Sequence, residues 1–231
     1  MTGPRFDRIQ TRLAAAKVAH PGTKPLCVVG AEITGVSGAG IMLMSGEIPR
    51  GSFCSSNPVS NLIEELQFTL GEGPCVDAYQ QDRPVLEPDL LGPEAMRWPA
   101  FTPSAVEAGV RAIFGFPLRV GAIRLGALNL YRDRPGPLGD DEHADALVMA
   151  EVAALSILEV QADAPAGRLR DDLLVGANLQ FGVHQAAGMV SVQLGVTITE
   201  ALVRLRAYSF GHGRPLSDVA ADVVHRRLDF R

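Results

Sequence analysis

The sequence predicts an α+β domain, helices packed on a mostly antiparallel sheet, followed by a small all-α bundle of three helices. Three observations predict it. Apolar segments of helical and strand character follow one another in the order helix, strands, helix, strands, long helix. Asp163-Ala-Pro-Ala-Gly167 then breaks the apolar periodicity and marks a boundary, dividing the chain into residues 1–162 and 163–231. Beyond it, three short amphipathic segments carry small residues at fixed offsets: Ala186-Ala187-Gly188, Glu200-Ala201-Leu202 and Leu205-Arg206.

Residues 5–20 read as a helix ended by Pro21-Gly22. Leu26 to Ile33 is a short apolar run that fits a helix or a buried strand equally. Gly38-Ala-Gly-Ile-Met-Leu-Met44 has a strand's composition, and Leu62 to Leu70 reads as a helix. Val85-Leu-Glu87, Ala112 to Leu118 and Leu125 to Tyr131 read as strands, the last two an antiparallel pair turning at Gly121-Ala122. Asp140 to Gln161 is one apolar-periodic helix of about 33 Å at 1.5 Å per residue, long enough to reach beyond one domain. Its Leu147, Val148, Leu155 and Leu158 exceed what a small sheet covers, which predicts a homodimer through this helix with the first helix beside it.

In the rear segment the first helix is expected over about Asp171–Leu194, with Leu179, Val183, Ala187, Val190 and Leu194 on one face and Gly195 as C-cap. Thr197-Ile-Thr-Glu200 matches a capping box, so a second helix starts near Ile198, with Ile198, Ala201, Leu202 and Leu205 inward. Gly211-His-Gly213 ends it. A third helix takes Pro215 in its first turn and buries Leu216, Val219, Ala220, Val223 and Val224. Ala187, Gly188 and Ala201 are small enough to let these helices approach closely.

Composition sets outer limits. The chain has 231 residues, 47% hydrophobic and 20% charged, within the range of globular protein. No 18-residue apolar run indicates a membrane span, and the N-terminus lacks the apolar core of a signal peptide, so a cytoplasmic protein is expected. A net charge of -5 argues against a generic nucleic-acid binder, but it is unevenly spread. Residues 178–231 hold six arginines against Glu200, Asp218, Asp222 and Asp229, which permits RNA binding without establishing it. Three cysteines at wide spacings, Cys27, Cys54 and Cys75, form neither a disulfide framework nor a metal site on this reading.

The rear segment, through Leu216-Ser-Asp-Val-Ala220, resembles the ANTAR domain, the three-helix RNA-binding output module of bacterial transcription antiterminators. The resemblance spans about residues 169–231. It implies binding to paired hairpins in nascent messenger RNA, with contacts from polar positions outside the apolar stripe: Arg204, Arg206, Tyr208, Ser209, His212 and Arg214. Guanidinium groups there would pair with phosphates and stack on splayed bases. Many ANTAR domains carry Lys where this chain has Ala187, which bears on RNA affinity rather than on the fold.

The front segment resembles a GAF domain over roughly residues 25–162. The strings that carry this are Leu66-Gln-Phe-Thr-Leu-Gly-Glu-Gly-Pro-Cys75, Arg83 to Leu90, Arg97-Trp-Pro-Ala-Phe101, Phe116-Pro-Leu118 and Leu125 to Leu130. The resemblance implies a pocket for an unidentified small molecule or signal between sheet and helices, near Gly73, Cys75, Trp98 and Phe116. Gly71-Glu-Gly-Pro74 either brings backbone close to a ligand or only supplies positive φ, and Trp98 either lines the pocket or fills core. Cys75 reads as a buried small hydrophobe or as a redox sensor. The Asn-Lys-Phe-Asp-Glu pattern of cyclic-nucleotide GAF domains is absent, as is any bilin or haem attachment context; His20 and His143 fall at expected helix ends. Some GAF proteins reduce free methionine sulfoxide with three cysteines, but the spacing here lacks their closely spaced pair. The expectation is therefore a dimeric, non-enzymatic antitermination regulator of unknown cofactor that needs no metal. A protein-interacting regulator without RNA binding and the thiol-dependent reductase stand as rivals.

Overall fold

The computed structural model describes residues 3–19, 24–45, 48–92, 97–162 and 178–231. In chain order the elements are α1 (Pro4–Ala19), α2 (Lys24–Thr34), β1 (Gly38–Ser45), β2 (Ile48–Ser55), α3 (Pro58–Leu70), α4 (Pro74–Gln81), β3 (Val85–Glu87) and α5 (Phe101–Glu107). They continue with β4 (Ala112–Val120), β5 (Ile123–Arg132), α6 (Asp140–Ala162), β6 (Asn178–Leu179), α7 (Phe181–Leu194), α8 (Ile198–Gly211) and α9 (Leu216–Val224). The sheet runs β3-β4-β5-β1-β2-β6, antiparallel throughout, so five strands of the front domain are joined by a sixth from the rear segment.

Successive side chains of a strand point to opposite faces, and both faces of this sheet are covered. Ala39, Ile41 and Leu43 of β1, Phe114, Phe116 and Leu118 of β4, and Leu128 and Leu130 of β5 meet α1, α2 and α6. Ile113, Ala127 and Tyr131 meet α3, α4 and α5 through Ile63, Cys75, Ala78, Phe101 and Ala105. This two-sided burial is why β4 and β5 read as continuous apolar runs. Leu26–Ile33, open between helix and strand in the sequence, is the helix α2.

The helix α3 begins four residues before the sequence expectation, because Asn57 caps it in a box with Ser60 and Pro58 fits its first turn. The helix α6 packs on its own domain as far as Leu158. Ala146, Met149, Val152, Ala153 and Ile157 are buried against the sheet, and Arg5 and Arg8 of α1 pair with Asp145 at 2.6 Å. Of the four residues expected to drive dimerisation, Val148, Leu155 and Leu158 are half-buried within the chain and only Leu147 is exposed.

The rear segment forms three helices as expected. Its first helix starts at Phe181; residues 178–179 lie in β6 rather than on a helical face, while 171–177 lie outside the described residues, as does the boundary at 163–167. The Thr197–Glu200 capping box is present. Ile198 is exposed rather than inward, since it is the first residue of α8 and precedes the buried Ala201, Leu202 and Leu205. A Cβ at Gly188 would meet nothing, so Gly188 does not mediate helix approach; it opens the floor of a groove with Gln185, Val192, Arg226 and Arg231. Among the described residues no single helix is long and apolar enough to cross a membrane.

Candidate functional site

One row across the sheet departs from apolar packing. Gly40 of β1, Asn129 of β5 and Gly115 of β4 are register neighbours facing α3 and α4. The two glycines let these helices sit directly on the backbone: a Cβ at Gly40 would fall 2.4 Å from Glu64 Oε1, and one at Gly115 2.4 Å from the Pro74 carbonyl. Between them Asn129 donates from Nδ2 to Glu64 Oε1 at 3.2 Å. One turn along α3, Gln67 Oε1 accepts from the Cys75 backbone N–H at 2.8 Å, at the start of α4.

Glu64, Gln67 and Asn129 are buried, yet Glu64 Oε2, Gln67 Nε2 and Asn129 Oδ1 have no hydrogen-bond partner within the chain. Three such atoms gathered at one place are unusual, since each unsatisfied buried group costs about 1–3 kcal/mol. Burial pushes the Glu64 carboxyl from its ordinary value near 4.5 up to about 8, against the opposing hydrogen bond from Asn129. The group is therefore largely a neutral acid at pH 7, able to donate or accept. Burial likewise pushes the Cys75 thiol well up, with the nearby Glu64 adding to the shift and Gln67 opposing it. A protonated buried thiol is a poor nucleophile.

The four expected pocket residues divide between the two faces of the sheet. Gly73, at φ 129, abuts Gln67, where a Cβ would come within 2.6 Å of Oε1. Cys75 and Trp98 share the core under α3 and α5, and Trp98 Nε1 donates to Asp77 at 3.2 Å. Trp98 is core. Phe116 lies on the opposite face, its ring edge-on to His143 at 5.5 Å, so it does not belong with the others. His143 is half-buried there. The residues that the sequence reading missed are Glu64, Gln67 and Asn129; the Glu-x-x-Gln spacing inside an apolar helix was the available signal.

Two cysteines correct the sequence expectation. Cys27 of α2 and Cys54 of β2 form a disulfide, buried in the core on the α1–α2–α6 face. Cys75 is free and lies in the core of the other face. Among the described residues no group of three His, Cys, Asp or Glu side chains is arranged to hold a metal ion.

The six candidate RNA contacts do not form one surface. Arg204 and His212 are exposed. Tyr208 is half-buried, stacked on His212 at 3.9 Å between centroids and edge-on to Phe230 at 5.4 Å. Ser209 is buried, its hydroxyl donating to the Arg214 carbonyl at 2.5 Å. Arg214 is ion-paired with Asp222 at 2.6 Å, and Asp222 also holds Arg227 at 2.8 Å. Arg206 points away from Arg204, as residues two apart on a helix must. Its guanidinium donates from Nη2 to the Phe68 carbonyl at 2.6 Å, beside the Phe68 ring at 6.0 Å, and burial lowers its pKa to about 10.

That contact belongs to a wider junction. Met42, Met44, Phe68 and Tyr79 of the front domain share one apolar cluster with Val183, Ala187, Leu202, Leu205 and Val219 of the tail. His184 lies edge-on to Phe68 at 6.0 Å, and the Gln180 N–H donates to the Arg50 carbonyl at 3.0 Å.

Comparison with known proteins bears on the front domain. Residues 26–157 match the model of the GAF domain. The GAF domain of a phosphoenolpyruvate-protein phosphotransferase from Coxiella burnetii is similar at 16% identity and a TM-score of 0.50, covering 68% of this chain and 95% of that one. The corresponding GAF domain from Acinetobacter is similar at 15% identity and a TM-score of 0.53, covering 70% and 98%. At such identities these structures speak to the fold alone. No curated protein matches the chain. The family match spans more than half of the sequence and takes in the whole Gly40–Asn129–Gly115 row with the helices above it: the chain belongs to the GAF family of signal-sensing domains.

Proposed function

We propose that the chain is a dimeric, non-enzymatic regulator in which the GAF domain senses a signal and an ANTAR-type tail binds paired hairpins in nascent transcripts to suppress termination. The observation that carries this reading is the continuity between the two parts. The helix α3 holds Glu64 and Gln67 on its sheet side and Phe68 on its tail side, so a signal at the polar row has a direct mechanical route to α8. Supporting the tail assignment are its three short helices, compatible with such a bundle, the alanines buried at their junctions and the Thr197 capping box. The sensed signal fits a small polar molecule or a change in protonation.

The test is binding of the full chain to a tandem-hairpin RNA across a salt series. Arg204, exposed on α8, is the contact to remove. Arg204→Ala should lower the magnitude of the salt slope by about 0.7, the share of one single-strand phosphate contact, with little change in stability. An unchanged slope would move the contact surface elsewhere. A monomeric mass by light scattering, with and without RNA, would remove the dimer.

A protein-interacting regulator is the second reading. It is favoured by the internal engagement of Arg206, Ser209 and Arg214, and it takes over if no form of the chain binds a hairpin. The reductase is disfavoured because the Cys27–Cys54 pair and Cys75 lie on opposite faces of the sheet, where a three-cysteine relay has no path.

A further inference from the structure

We infer that Arg206 is a latch that holds the three-helix tail against the sensor, with the C-terminal end of α3 as its seat. The consequence for RNA rests on the sensor–output reading above; the latch itself does not.

A helix leaves its last carbonyls without intrahelical donors, and that end carries partial negative charge. In α3 the Gly71 N–H satisfies Gln67 O, and the Phe68 carbonyl receives Arg206, which lies 138 residues further along the chain. Charge-assisted bonds of this kind are the strong ones. The seat is shaped for it. Gly71 ends α3 in the left-handed region at φ 71, and a Cβ there would lie 2.5 Å from Arg206 Nη1, so a side chain at this position has to displace the guanidinium. Arg206 Nε is buried without a partner, so the seat satisfies only part of the guanidinium. Glu64 and Gln67 sit within the two turns before the seat, so any movement of α3 over the Gly40–Asn129 row displaces the Phe68 carbonyl. In the closed arrangement Arg206, one of two arginines on α8 suited to phosphate, is occupied by the sensor, while Arg204 stays in solvent.

Two variants vacate the seat from opposite sides. Gly71→Asn fills it with a side chain that tolerates left-handed backbone, and Arg206→Ala removes the latch without touching α3. In the parent chain, phenylglyoxal labelling read by mass spectrometry should modify Arg206 at least tenfold more slowly than Arg204, the internal reference. In each variant, hydrogen exchange at the Gln180 amide, bonded across the junction, should accelerate tenfold or more. Gly71→Asn should also label Arg206 as fast as Arg204 and bind a tandem hairpin more tightly than the parent. Equal labelling of the two arginines in the parent, or unchanged exchange at Gln180 in both variants, overturns the latch. If labelling and exchange behave as expected but no form binds a hairpin, the latch stands and the RNA-binding reading falls.

Discussion

A carboxyl group that keeps its proton to about pH 8 couples folding to pH in a definite direction. Between its ordinary value near 4.5 and its folded value, Glu64 is protonated in the folded chain and ionised in the unfolded one. The folded state then binds the extra proton, so this residue's contribution to stability is present at low pH and is lost as pH rises through that window, by up to about 1.4 kcal/mol per pH unit. Glu64→Gln keeps the shape and removes the titration. Urea unfolding at pH 5, 6.5 and 8 should show the parent weakening with pH and Glu64→Gln departing from it, at least as stable as the parent at pH 8. Parallel pH profiles for the two would show that Glu64 is ionised in the fold. The Glu-x-x-Gln spacing of α3 was the one trace of this in the sequence, and it pointed the wrong way. A Glu and a Gln three apart in an amphipathic helix read as its wet side, and only the glycines opposite them, set by strand register, turn that side inward.

At the level of elements, legibility followed periodicity. Strands β4 and β5, the helix α6 and the helices of the tail were readable because their apolar runs are long and their turns carry Gly or Pro. Strand β2 was not, since Pro49 and Gly51 interrupt Ile48–Ser55 and its pattern never alternates cleanly. The helix α4 was hidden because Gly73-Pro74, taken for a turn, is its N-cap and first residue. The helix α5 is only seven residues long, and its N-terminal Ala100 and Phe101 amides are satisfied by Glu72, which no local pattern reveals. The Cys27–Cys54 bridge was equally silent, because spacing says nothing of proximity. It ties α2 to β2 across 27 residues of chain. Loop-entropy reasoning assigns such a closure about 3–4 kcal/mol. Protein equilibrated with dithiothreitol should therefore unfold at clearly lower urea concentration than oxidised protein, and Cys54→Ser should abolish the difference. A reductant effect that persists in Cys54→Ser would have to come from another source.

Across the whole molecule, sensor and tail are built as one sheet rather than as two beads. The pairing of Gly51 with Leu179 and Ser52 with Asn178 means that the rear segment finishes the front domain's sheet at β2. If the tail swings away, it uncovers a row of backbone donors and acceptors on β2, and an open sheet margin of that sort seeks another strand. The nearest supply in a dimer is the Asn178–Leu179 segment of the other copy. Release of the tail would thus favour an exchange of strands between subunits, joining the two copies more firmly in the active arrangement than in the resting one. A sensor comprising residues 1–162 alone, which always lacks its closing strand, should associate beyond the full chain's state as concentration rises in sedimentation velocity. Addition of a peptide spanning residues 176–182 should reverse it. Identical sedimentation of the truncated and full chains would mean that β2 is inert when bare. Were the tail released in signalling as proposed, the response would carry a built-in bias toward association, because the segment that closes β2 is also the one that keeps neighbouring molecules apart.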